Sequence, residues 1–261
     1  IIFIGGIKRI ASFTEKIVPI MALLYIIGCL VILVMHLPGV GTAFKDIFVG
    51  AFAPQAIAGG ALGVTVQKAM RFGVARGLFS NEAGIGSAPI AAAAAQNDSP
   101  AKQGLISMLG TIIDTLIICT MTGLTIVITD SWNVGLDGVD VTTRAFQQGL
   151  PFNSSIASFI LMVCLVFFAF TTILGWDYYS ERCLEYLTGH KKAVVKAYRW
   201  LYILAVFIGP FMTVSAVWTI ADIFNGLMAL PNLIAVTALS GVVVAETKVY
   251  MDGLKKDKIQ P

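Results

Sequence analysis

Arg76-Gly-Leu-Phe-Ser-Asn-Glu-Ala-Gly-Ile-Gly-Ser-Ala-Pro89, followed by Ile90 and the alanine run Ala91 to Ala95, is the stretch that decides how this chain folds. Its surroundings are apolar enough for a bilayer, yet Ser80, Asn81, Glu82, Gly84, Gly86, Ser87 and Pro89 fall together here. Each glycine inside a helix costs about 1 kcal/mol, and Pro89 lacks an amide donor. The stretch therefore predicts a helix interrupted within 80–86, with helix on both sides. Irregular backbone at membrane depth survives only where protein buries it or where it lines a watery cavity. Secondary transporters build sites from such discontinuous helices: carbonyls of one half take a cation, and the amide end of the other takes an anionic group. The alternative is a polar loop joining two crossings.

Composition supports the membrane reading. The chain is 57% hydrophobic and 13% charged, with a mean hydropathy of +0.84, whereas soluble domains carry about 25% charged residues. This is the profile of an all-α, polytopic membrane protein. The net charge of +3 is small and sits in loops, so it carries no nucleic-acid footprint. Cys29, Cys119, Cys164 and Cys183 show no paired spacing, and three of them lie in apolar runs where a thiol is a small apolar residue. A start inside Ile1-Ile-Phe-Ile4, with no initiator Met, points to a fragment, and no cleavable signal is present.

Apolar runs at about 18–37, 104–128, 156–178, 198–218 and 222–246 each approach the length of a crossing. The interval 41–97 crosses once or twice. With one crossing and a cytoplasmic start, only Lys45, Lys68, Arg71, Arg76 and Arg144 stay outside, leaving 13 of the 18 cations inside. Two crossings flip the later loops and leave 11 inside against 7 outside. The positive-inside rule selects one crossing, a broken helix at about 67–97, and a cytoplasmic C-terminus. Segment 41–66 is then an outer interfacial stretch: Phe44, Ile47, Phe48, Ala51 and Phe52 share a helical face opposite Lys45 and Asp46. Pro54 and Gly59-Gly60 loosen the chain before the broken crossing, and Gly209-Pro210 and Pro231 read as kinks in later helices.

Three groups carry possible chemistry. Glu82 sits at the break, where a bilayer carboxylate costs roughly 2.5–3.5 kcal/mol and is normally paired or functional. Its partner is either Arg76 or a group on another helix, and its role either a structural ion pair or a ligand contact. Within Phe170-Thr-Thr-Ile-Leu-Gly-Trp-Asp-Tyr-Tyr179, Thr172 and Trp176 share a helical face. The adjacent hydroxyls are either oxygen ligands for a hard cation or bonded back to their own helix. Asp114, with Thr111 and Thr115, is either a packing hydrogen bond or part of a cation route. Enzyme motifs are missing: there is no HExxH, GxSxG or P-loop. His36 and His190 fall at helix ends as interfacial residues.

The stretch 76–89, together with Lys102-Gln-Gly-Leu105, Ile113-Asp-Thr115 and Thr171-Thr-Ile-Leu-Gly-Trp176, closely resembles the alanine or glycine:cation symporter family, the sodium:alanine symporters, over essentially the whole chain. The resemblance implies a leucine-transporter-type fold of five-plus-five inverted repeats. This chain would hold the last helix of the first repeat and all of the second, with the N-terminal half of the same protein as its partner. It also implies that Phe79, Ser80, Asn81 and Ala83 meet the amino acid, that Thr172 and Trp176 close the pocket, and that Phe168, Thr171 and Thr172 hold sodium. Trp176 would limit side-chain size. The implied function is Na⁺-driven uptake of a small neutral amino acid such as alanine or glycine across the cell membrane. A cation channel and an H⁺-coupled permease are the rival readings, and no enzyme activity or cofactor is expected.

Overall fold

A computed structural model describes residues 6–52 and 61–257, which are helical with short connections. The helices are α1 (Gly6–Met35), α2 (Leu37–Phe52), α3 (Ala61–Ser80), α4 (Ala88–Ala92), α5 (Pro100–Ile128), α6 (Val139–Gly149), α7 (Ser154–Thr188), α8 (Lys192–Ile208), α9 (Val214–Ala238) and α10 (Ser240–Asp257). Among the described residues five segments are long and apolar enough to cross a membrane: Ser12–Met35 within α1, α5, α7, α8 extended to Phe211, and α9. Local chemistry sets several ends. The side chains of Ser99, Asn153 and Thr213 accept amide hydrogens in the first turns of α5, α7 and α9, and Pro100 begins α5. Gly189, at φ 62°, closes α7 in the left-handed conformation that favours glycine.

Some limits differ from the sequence expectation. Gly209-Pro210 ends α8 in a single 3₁₀ turn instead of kinking it, because Thr213 caps a new helix immediately afterwards. The runs expected at 198–218 and 222–246 thus become α8 and α9, with α9 ending at Ala238 and α10 beginning at Ser240. Pro231 stays inside α9. The region expected as the broken crossing, 67–97, holds α3, a loop and α4, and it is not among the five long apolar segments. The amphipathic pattern around Phe44–Phe48 lies on α2, whereas Pro54 and Gly59-Gly60 fall outside the described residues.

The helices group into two compact units, 1–68 with 118–212 and 69–117 with 213–261. In the first, α1 packs along α7 through a stripe of Met21, Tyr25, Cys29 and Ile32, spaced three or four residues apart. The amphipathic α6 lies against both and inserts Phe146, which is 0% exposed. Tyr25 stacks on Phe146 at 5.6 Å between centroids and meets Phe168 edge-on at 6.1 Å. Thr122 gives its single hydroxyl proton to the Ile118 carbonyl, so Tyr25 is the donor in the 2.7 Å bond between the Tyr25 and Thr122 hydroxyls. On the other side of α7, Arg199 of α8 donates two bonds to Glu181, at 2.6 and 2.9 Å, and Tyr202 donates to the Ile173 carbonyl. In the second unit α10 packs on the first half of α5 and joins α9 by a tight turn.

Inside a bilayer the apolar exteriors already have an apolar solvent, so association depends on close packing and polar contacts. Gly149 is one such approach: a Cβ there would lie 2.6 Å from Cγ2 of the fully buried, β-branched Ile32. Gly149→Ala should therefore destabilise the first unit by about 1–3 kcal/mol through overpacking. Gly123→Ala, where a Cβ meets nothing within 4 Å, is the matched control. Thermal unfolding in detergent should show a lowered midpoint for the first variant only.

Candidate functional site

The interruption falls where the glycines and Pro89 place it. The α3 ladder runs out in bonds from the Asn81 amide to the Gly77 carbonyl (3.1 Å) and from Ala83 to Leu78 (3.2 Å). Glu82, Gly84 and Gly86 then adopt positive φ of 50°, 75° and 84°. Ile85 and Ser87 are buried, at 3% and 0% exposure, and anchor the loop. The second arm departs from expectation. Helix α4 holds only five residues before the chain turns through Ala95 toward Pro100, so it is too short for the anion-binding amide end assigned to it.

Among the described residues Glu82 pairs neither with Arg76 nor with another helix. Its carboxylate accepts a 2.6 Å bond from Ser87 Oγ, across the loop itself. Left-handed backbone at Glu82 and two glycines turn the chain back on itself and make this reach possible. Arg76 points to α9, where it forms an ion pair with Asp222 and lies 3.8 Å over the ring of Trp218. Trp218 and Asp222 are one turn apart, hence on one face, and Phe79 meets the same indole edge-on at 5.6 Å. The sequence reading missed both α9 partners; a Trp and an Asp at i and i+4 in an apolar run were the available signal.

Two further bonds hold the last residues of α3. Ser80 Oγ donates to Asp114 at 2.5 Å, and Thr115 Oγ1 donates to Asn81 Oδ1 at 2.7 Å. Both acceptor and donor come from Ile112–Cys119, a π-helical segment inside α5. Asp114 thus makes a hydrogen bond to the break itself.

The remaining expected site residues lie on α7, in the other unit. Thr171 Oγ1 donates back to the carbonyls of Phe167 and Phe168 at 2.9 and 3.1 Å, whereas Thr172 is exposed and makes no hydrogen bond among the described residues. The back-bonding alternative therefore describes Thr171 but not Thr172. Trp176 meets Tyr179 edge-on at 5.7 Å. Sequence reasoning also passed over Asp177, which is 2% exposed with Oδ1 unpaired among the described residues, and the Glu181–Arg199 pair nearby. Asp177 and Glu181 at i and i+4 were legible as one face.

The glycines of the break are not equivalent. A Cβ on Gly86 would stand 3.1 Å from the Asn232 side chain of α9 as well as require left-handed backbone, while one on Gly84 meets only Leu233 at 4.0 Å. Positive φ costs a non-glycine residue about 1–2 kcal/mol, so Gly84→Ala should destabilise the second unit modestly. Gly86→Ala adds a contact that Asn232 must relieve by a few tenths of an ångström and should cost more. Thermal unfolding in detergent should show the larger drop in midpoint for Gly86→Ala.

The whole chain, residues 1–261, matches the family described as the sodium:alanine symporter family. It is 54% identical over 256 residues to an uncharacterised transporter of Haemophilus influenzae, covering 98% of this chain and 55% of that protein. It is 45% identical over 260 residues to the sodium/alanine symporter AgcS of Methanococcus maripaludis, with 98% and 55% covered. A probable sodium/glutamine symporter, GlnT of Bacillus subtilis, is 40% identical over 261 residues, with 98% and 52% covered. The chain spans about half the length of the relatives it matches. A broken, glycine-rich helix between long apolar helices, and a family match over every residue, lead to one conclusion: this chain belongs to the sodium:alanine symporter family.

Proposed function

We propose that the protein carrying this chain is a secondary active symporter that couples inward Na⁺ flow to uptake of a small neutral amino acid such as alanine or glycine. The observation that carries the reading is the interruption of α3 at Asn81–Ser87, whose side chains and freed backbone groups are the polar surface a solute needs. Family membership supports it, and two relatives are named for sodium-coupled alanine and glutamine transport. The fold we propose is the leucine-transporter type, with this chain as the second repeat and the last helix of the first. On the broken helix, Phe79, Ser80, Asn81 and Ala83 are our candidates for meeting the amino acid. Thr172 and Trp176 are the α7 candidates for closing the pocket, with Trp176 limiting side-chain size.

For sodium we assign the Phe168 carbonyl and the hydroxyls of Thr171 and Thr172. These are hard oxygen donors, which a small cation prefers, and the Thr171 hydroxyl would have to give up its bonds to the Phe167 and Phe168 carbonyls to bind it. Thr172 is exposed and makes no hydrogen bond among the described residues. Thr172→Ala should raise the Na⁺ concentration for half-maximal uptake and, by reciprocal coupling, weaken apparent alanine affinity. Unchanged sodium dependence would remove Thr172 from the site. Trp176 to a smaller residue should let valine or leucine compete with labelled alanine, by a modest margin, since a methylene is worth roughly 1–3 kcal/mol.

Counterflow of labelled alanine tests the class: a carrier exchanges solute across the membrane and a channel does not. We place the protein in the cell membrane with its C-terminus cytoplasmic, on the excess of Lys and Arg in the segments assigned inside. A cysteine at Asp137 should then be labelled from outside, and one at Lys191 only after permeabilisation. The reverse pattern overturns that orientation.

A further inference from the structure

The bonds between α5 and the break pair consecutive residues with consecutive residues: Asp114 accepts from Ser80, and Thr115 donates to Asn81. An ordinary α-helix turns about 100° between neighbours, which points adjacent side chains to different faces. Here both belong to the π-helical segment Ile112–Cys119, whose wider i→i+5 turn brings successive side chains closer in direction. π-helical turns of this kind are uncommon and are found disproportionately at functional sites. Ser80 closes the regular part of α3 and Asn81 opens the loop, so the two bonds grip the break at the residue where helix ends. The loop has a third tie, Ser87 to Glu82, but that one lies within the loop and does not fix it to another helix.

We propose that Asp114 and Thr115 are positioning residues that splint the break from the π-helical turn of α5, holding Ser80 and Asn81 in the geometry that meets the transported amino acid. The proposal rests on the symporter reading for its consequence in transport. The splint itself does not depend on that reading. Thr115→Val keeps the side-chain shape and removes the donor. In the intact transporter reconstituted in liposomes, the KM for alanine should rise roughly fivefold, the worth of one hydrogen bond, with the maximal rate per inserted molecule changed by no more than about twofold. Thr115→Ser should restore KM. Asp114→Ala should raise KM in the same way through Ser80. A purely structural role would instead lower the amount of inserted protein and leave KM alone, so an unchanged KM in both Thr115→Val and Asp114→Ala overturns the proposal.

A second measurement needs no transport. Ala83 is exposed in the loop, and a cysteine placed there in a cysteine-free background reports loop order through its alkylation rate. Thr115→Val should speed alkylation several-fold and Thr115→Ser should not. Equal rates in all three backgrounds overturn the splint. Should the unmodified protein show no Na⁺-driven alanine uptake, the symporter reading fails, and the alkylation comparison still decides the splint.

Discussion

A peptide group that leaves its helix inside a bilayer has no water to turn to, and each unpaired one costs several kcal/mol. The stretch Asn81–Ser87 is built around that penalty. Its first amides bond back to Gly77, Phe79 and Leu78, which closes α3 gradually instead of exposing a full turn of donors. Side-chain pairs then hold the loop in place. Ser87 serves Glu82 inside the loop, and Ser80 and Asn81 are served by Asp114 and Thr115 of α5. The glycines supply the two turns that only a residue without Cβ adopts cheaply, and at Gly86 they also let the backbone lie against Asn232 of α9. The side-chain bonds fix where the loop lies, while the backbone bonds to Gly77, Phe79 and Leu78 relieve its first amides.

The other unit meets the same solvent differently. Its helices stay regular, and the problem is cohesion, since lipid removes most of the apolar drive for helix association. Close approach answers it where Gly28 and Gly149 admit Phe146 and Ile32. Polar contacts answer it elsewhere: the Tyr25–Thr122 bond between α1 and α5, and the two-pronged Arg199–Glu181 pair between α7 and α8. A guanidinium fork on a carboxylate fixes orientation as well as distance. Thus α7 is held on both flanks, and the Thr171–Trp176 stretch sits on a helix whose rotation and height are determined.

Much of this was legible in the sequence. Two glycines, Ser87 and Pro89 close together in an apolar run disfavour a continuous helix, so the end of α3 followed from local chemistry. The caps at Ser99, Asn153 and Thr213 were equally local signals, which the sequence reading did not use. Three features were not. The brevity of α4 depends on the turn after Ala92, and an alanine run offers no signal against continuing. Arg76 finds Asp222 across 146 residues of sequence, and nothing nearby distinguishes that partner from Glu82. The π-helical turn was invisible because Ile112–Cys119 is apolar apart from Asp114 and Thr115, and a period cannot be read from a run without contrast.

Charge at the break completes the picture. Arg76 brings one positive group, and Glu82, Asp114 and Asp222 bring three formal negatives; each is one turn from the break, in it, or bonded to a residue of α3 there. Glu82 and Asp114 each accept a bond from a hydroxyl, and among the described residues Asp222 alone of the three has a cationic partner. In a medium of low dielectric constant such an excess is costly by itself and favourable to any cation that approaches. At the break itself a cationic group is thus favoured over an anionic one.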